Sequence, residues 1–216
     1  INGVSMASTR YRLTKQAIRT SLDKLAASDP RIAKAIEQVG YPDSRRREHG
    51  FDPLVRIVVG QQVSTHAARA IAGRLVDTVG GQLTAQAIIG ASDESLRSAG
   101  LSRQKVSYLR ALSEAVHDDS LPIDALPQLA DADVVSLITA VRGFGEWSAH
   151  MYLMFSLGRP DVWPVGDLAV RAGFGRLLGL EERPTPKQTH ILGEAFAPHR
   201  SALALLCWKY YSEAPL

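Results

Sequence analysis

Residues 137–167, LITAVRGFGEWSAHMYLMFSLGRPDVWPVGD, constrain this chain more than any other stretch. Apolar residues at helical spacing lie on both sides of Arg142-Gly143-Phe144-Gly145. Gly143 and Gly145 permit a turn that side chains would obstruct, and they let another backbone approach closely. The pattern predicts helix, tight turn, helix. A helix N-terminus leaves N–H groups unpaired and carries partial positive charge, so it suits a single phosphate. Asp167 follows the second helix, behind a loop containing Pro164 and Gly166. An isolated carboxylate near a phosphate-binding turn can do chemistry on what that phosphate carries. Asp167 is equally suited to cap the helix that begins at Leu168.

Length and composition rule out several classes. At 216 residues, with 45% hydrophobic and 22% charged, the chain can bury one large core or two small ones. The net charge of +3 is compatible with a polyanionic partner without demanding one. A single cysteine, Cys207, excludes an internal disulfide, a four-thiolate iron–sulfur cluster and a thiolate zinc cage. It lies in an apolar run and is expected to pack as a small hydrophobe in a reducing, cytoplasmic compartment, nucleoid-associated in a bacterium. The six histidines (His49, His66, His117, His150, His190, His199) show no metal-ligand spacing. No apolar run or secretory signal points to a membrane. Residues 1–5 precede Met6 and are set aside from fold reasoning.

The rest of the chain reads as helix, giving an all-α fold. Leu101, Val106, Leu109, Leu112 and Val116 form one helical stripe, with Ser102 as N-cap. Residues 64–79 read as a helix ending at Gly80-Gly81. Another opens near Asp131. Thr185-Pro186 offers an N-cap with proline at the first helical position. Ser201 is the expected cap of the last helix. No segment alternates with period two, so no sheet is expected. Residues 40–53 are polar and turn-rich, and a second break falls near 179–186. Two helical lobes with a central cleft are expected: 6–52 packing with 180–216, and 53–179 holding the hairpin (about 137–156) and the Asp167 loop. Arg45-Arg46-Arg47 reads as a solvated run with some capacity for phosphate contact.

Val141-Arg142-Gly143-Phe144-Gly145, Trp147-Ser148-Ala149 and Gly166-Asp167 together resemble the signature of the helix–hairpin–helix (HhH-GPD) DNA glycosylases. Gly60-Gln61-Gln62-Val63-Ser64, and Gly100-Leu101-Ser102 with Lys105 and Leu109, resemble the same superfamily. The similarity covers roughly residues 53–210. The nearest branch is the DNA-3-methyladenine glycosylase II type, in the compact form without an N-terminal β-rich domain.

That resemblance implies an enzyme that flips alkylated purines (3-methyladenine, 7-methylguanine, with ethenoadenine or hypoxanthine as further substrates) from duplex DNA and hydrolyses the N-glycosidic bond. Asp167 is then catalytic, since a carboxylate stabilises an oxocarbenium-like sugar and orients water. Trp147 and Trp208 line the base pocket, where ring faces attract a cationic base. Tyr152 and Tyr210 are weaker candidates. Gln62 stands at the wedge position that fills the vacated stack. Arg142, Gly143, Gly145 and Ser148 contact DNA. The carbonyls of Thr139, Val141 and Phe144 would hold a structural Na⁺ or K⁺, and no other cofactor is required. Bifunctional relatives carry lysine where Trp147 stands, so a monofunctional enzyme is expected, acting on damaged double-stranded DNA as a monomer.

Two residues depart from the pattern: Arg142 replaces a frequent proline, and Glu146 an often basic residue. The competing readings are a non-catalytic helix–hairpin–helix DNA-binding module and a glycosylase for oxidised or mismatched bases.

Overall fold

The computed structural model describes residues 12–214, and every regular element among them is helical. In chain order these are α1 (Lys15–Ser28), α2 (Pro30–Val39), α3 (Phe51–Gly60), α4 (Thr65–Thr78), α5 (Ala85–Gly90), α6 (Asp93–Ser98) and α7 (Arg103–His117). A 3₁₀ turn, Ile123–Gln128, leads to α8 (Asp131–Ala140) and α9 (Glu146–Phe155). Then come α10 (Leu168–Leu178), α11 (Pro186–Gly193), a short 3₁₀ turn and α12 (Arg200–Glu213). Residues 1–5 and the start of the expected 6–52 segment lie outside the described part.

Local chemistry sets most starts. The hydroxyls of Ser64, Ser102 and Thr185 accept N–H bonds from Ala67, Lys105 and Gln188 at 3.2–3.3 Å. Each satisfies a donor that the first helical turn leaves unpaired. At α11 the Gln188 side chain accepts the Thr185 N–H in return, completing a capping box behind Pro186.

Ser201 corrects the expectation. It lies inside α12, buried, where its hydroxyl donates to the Arg159 carbonyl (2.7 Å) and accepts the Val162 N–H (2.8 Å). The start of α12 is satisfied instead by Asp161, which accepts the Arg200 N–H and pairs with the Arg200 guanidinium at 2.7–2.8 Å.

The chain forms two compact units. Unit 1 is Arg47–Tyr152. Its core joins Leu54 and Val58 of α3, Leu75 of α4, Ile88 of α5, Leu109 and Leu112 of α7, and Val134 and Ile138 of α8. Unit 2 comprises residues 12–46 and 153–214. Its core includes Ile18, Leu22, Ile32 and Leu203, with Phe174 edge-on to both Trp163 (5.0 Å) and Phe196 (5.7 Å).

The expected boundary near residue 179 is therefore wrong. Residues 153–179 belong to unit 2, because α10 packs directly on α12. At Gly173 a Cβ would lie 2.0 Å from the Cys207 carbonyl oxygen, so only glycine allows that approach. Cys207 itself is fully buried, as expected of a small hydrophobe, and burial pushes its thiol well above its ordinary pKa.

Candidate active site

In unit 1 the expected hairpin is present. After α8, Val141 is extended and buried, and its carbonyl accepts the Phe144 N–H at 3.1 Å, which closes the turn. Gly143 has φ +96° and lies flat against the Tyr108 ring, where a Cβ would meet ring carbon at 2.2 Å. Backbone conformation and packing both demand glycine there. The Gly143 carbonyl accepts the Gln61 side-chain amide at 3.0 Å, tying the turn to the α3–α4 loop.

Gly145 differs from the expectation for it. Its φ is not positive, and a Cβ there would meet nothing within 4 Å. The turn does not need it; what it provides is open space at the start of α9, where the first helical bond runs from the Ala149 N–H to the Gly145 carbonyl (3.2 Å).

The other expected residues of unit 1 divide between surface and interior. Arg142 and Trp147 are exposed, Trp147 at 39%. Ser148 is buried at 3%, so its hydroxyl is withdrawn from the surface and only its backbone N–H, in the first turn of α9, fits the proposed contact. Tyr152 is fully buried, and burial pushes its hydroxyl pKa well up. That hydroxyl meets His49 Nδ1 at 2.8 Å and the Gly50 backbone at 3.3 Å, which removes Tyr152 from the candidate base-pocket rings. Thr139 donates its hydroxyl to the Val135 carbonyl at 2.8 Å.

The α3–α4 loop presents Gln62, exposed and at φ +55°. A non-glycine residue in the left-handed region is uncommon and persists only where its surroundings hold it. A cavity of about 340 Å³ opens beside this loop, lined by Gln61, Gln62, Lys105, Tyr108 and Gly143 among others. Lys105 donates to the Val59 carbonyl at 2.7 Å, a cation on the C-terminal end of α3, and partial burial lowers its pKa.

Unit 2 holds Asp167. The Asp167 N–H donates to the Pro164 carbonyl (2.9 Å), folding the loop tightly ahead of α10. Its carboxylate Oδ1 accepts the Val170 N–H at 2.9 Å, so Asp167 is the N-cap of α10. The same oxygen accepts the Trp208 indole N–H at 3.0 Å. Trp208 is half-buried on α12, with Phe155 at 5.9 Å between ring centroids and the Arg45 guanidinium 5.6 Å from its ring centre. Tyr210 hydrogen-bonds Gln38 of α2 at 2.8 Å, a tie within unit 2.

The structure thus joins Asp167 with Trp208, and Gly143 with the α3–α4 loop. Four contributors were not assigned these roles from sequence. Gln61 lay in the quoted motif with no task, Tyr108 was not singled out, and Arg45 counted as part of a solvated run. The Trp208 N–H was overlooked in favour of its ring. Among the described residues no cluster of His, Cys, Asp and Glu could hold a metal. No helix there is long and apolar enough to cross a membrane.

Comparison with known proteins gives the family and the fold. The model of the HhH-GPD superfamily of base excision DNA repair proteins matches residues 55–198. The chain belongs to that superfamily. It is similar to DNA-3-methyladenine glycosylase 1 of Schizosaccharomyces pombe, 32% identical over 205 residues covering 90% of each chain. Its structure is similar to that of the S. pombe 3-methyladenine DNA glycosylase in complex with abasic DNA. There the TM-score is 0.81 and the identity 31%, over 88% of this chain and 95% of that one. A DNA-3-methyladenine glycosidase from Bacillus halodurans gives a TM-score of 0.78 at 36% identity, over 88% of each chain.

Proposed function

We propose that this protein is a monofunctional DNA glycosylase of base-excision repair. It would extrude alkylated purines, 3-methyladenine and 7-methylguanine foremost, from duplex DNA and hydrolyse their N-glycosidic bonds. The observation that carries this reading is the Asp167 carboxylate, held by two N–H donors at the head of α10. Membership of the superfamily and the similarity to named 3-methyladenine glycosylases support it.

The chemistry follows from charge. An N3- or N7-alkylated purine is cationic in DNA. As its bond to C1′ breaks, the bonding electrons return to the ring and the base leaves neutral. Positive charge then develops on the sugar. A fixed carboxylate stabilises that charge and orients the water that adds to C1′, accepting its proton. Trp147 offers an exposed ring for a cationic base. It stands where bifunctional relatives have lysine, so no amine is present there to attack the sugar. Gln62, exposed on its strained loop, suits the wedge that fills the vacated stack.

Grip on DNA is assigned to the hairpin. Gly145 leaves room for a phosphate at the start of α9, and exposed Arg142 supplies a guanidinium. The carbonyls of Thr139, Val141 and Phe144 suit a monovalent cation. Val141 already accepts one N–H and keeps a second lone pair. Such an ion would supply positive charge between hairpin and phosphate.

The test is incubation of the protein with methylated duplex DNA. Free 3-methyladenine, with strand breaks only after hot alkali, is the expected result. Breaks without alkali would mean a lyase and overturn the assignment of Trp147. DNA binding without release of any base would favour a binding module.

A further inference from the structure

Trp208 is connected to Asp167 by the N–H edge of its indole. An N-cap aspartate needs one donor, from the residue three positions on, and Val170 supplies it. The Trp208 N–H, arriving from α12 and 41 positions away, is not needed to start α10. Both donors converge on Oδ1, so the carboxyl group is fixed about its side-chain bonds by two directions at once.

The donor is itself immobilised. Residues 201–207 of α12 are all buried, and the Cys207 carbonyl lies in the space that the missing Cβ of Gly173 leaves on α10. This contact sets the register of α12 against the helix that Asp167 caps. Phe155 flanks the Trp208 ring.

Resting on the functional reading above, we propose that Trp208 is a positioning residue. Its indole N–H holds Asp167 at the angle needed to meet developing charge at C1′. The contact between Gly173 and Cys207 keeps that donor in place. A carboxylate without this donor would still cap α10 through its local bond, and would spend less time aligned with the sugar.

The experiment replaces Trp208 by benzothienylalanine, which keeps a two-ring side chain and lacks the N–H, and in parallel by phenylalanine. Single-turnover release of 3-methyladenine should fall about tenfold or more in both, with affinity for abasic duplex within about threefold of wild type. In an Asp167→Asn background, Trp208→Phe should cause no further loss of rate, because both changes act through one group. The Trp208 indole N–H resonance should move on Asp167→Asn, a readout independent of turnover. A benzothienylalanine protein that releases base at the wild-type rate would overturn the proposal. So would an indole resonance indifferent to residue 167. If wild type releases no base at all, the functional reading fails by itself, and the indole resonance still decides whether Trp208 holds Asp167.

Discussion

The turn at Gly143 and the loop at Asp167 are both short connections leading into a helix, and they are held by different means. Gly143 is fixed by shape. Its φ of +96°, the Tyr108 ring against its Cα and the Gln61 amide on its carbonyl leave one arrangement. Asp167 is fixed by polar donors, the Val170 and Trp208 N–H groups on one oxygen. Shape suits a surface that must present backbone to a rigid polyanion. Donors suit a group whose charge has to be aimed. The first should fail by steric insult and lose stability and grip together. The second should fail by loss of charge, with the fold intact.

Substitutions can break or sharpen this contrast. Gly143→Ala carries the largest expected cost to the fold. Left-handed strain plus overlap with Tyr108 should destabilise unit 1 by about 3 kcal/mol, seen as a fall in chemical-denaturation midpoint. Wild-type stability in that variant would mean that Tyr108 moves aside and the turn is not sterically fixed. Gln61→Ala removes one hydrogen bond to the turn and should cost about 1 kcal/mol, together with weaker binding to duplex. Gly145→Ala should leave stability within about 0.5 kcal/mol, since a Cβ there meets nothing. It should still weaken DNA binding, about tenfold if a phosphate seats against it. Unchanged affinity would remove Gly145 from the interface.

The smallest effect is a pH dependence in unit 1. Burial holds the His150 pKa below its ordinary 6.5, outweighing the nearby charges of Glu146 and Asp131. The unfolded chain then takes up a proton more readily than the folded one. The stability from neutral His150 is fully present above pH 6.5 and is lost as pH falls through the lowered folded value. Melting temperature should decline on acidification below about pH 6.5, and less steeply in His150→Gln. Equal slopes would assign the decline to other groups.

What the sequence disclosed depended on distance along the chain. Ser102 and Thr185 are caps whose partners lie three residues away, so the pattern alone located them, while Ser64, read as the first residue of its helix, is the cap just before it. The hairpin was legible for the same reason, because two apolar helices and a glycine turn are local features. Ser201 looked like a cap and is a buried bridge to Arg159 and Val162, partners some 40 positions earlier. The bond from Gln61 to Gly143 spans 82 positions, and no local pattern encodes it. The packing of Gly173 against the Cys207 carbonyl is non-local in the same way. The boundary between units falls within α9, where composition does not change, so turn-rich segments misdirected the expected division.

The most direct test of the account is base release by Asp167→Asn. Asparagine caps a helix about as well as aspartate, so this exchange removes the charge and keeps the local bond to Val170. Single-turnover release of 3-methyladenine from methylated duplex should fall by about a thousandfold or more, with melting temperature and DNA affinity close to wild type. Release at the wild-type rate by a folded Asp167→Asn protein would contradict the assignment of the chemistry to Asp167.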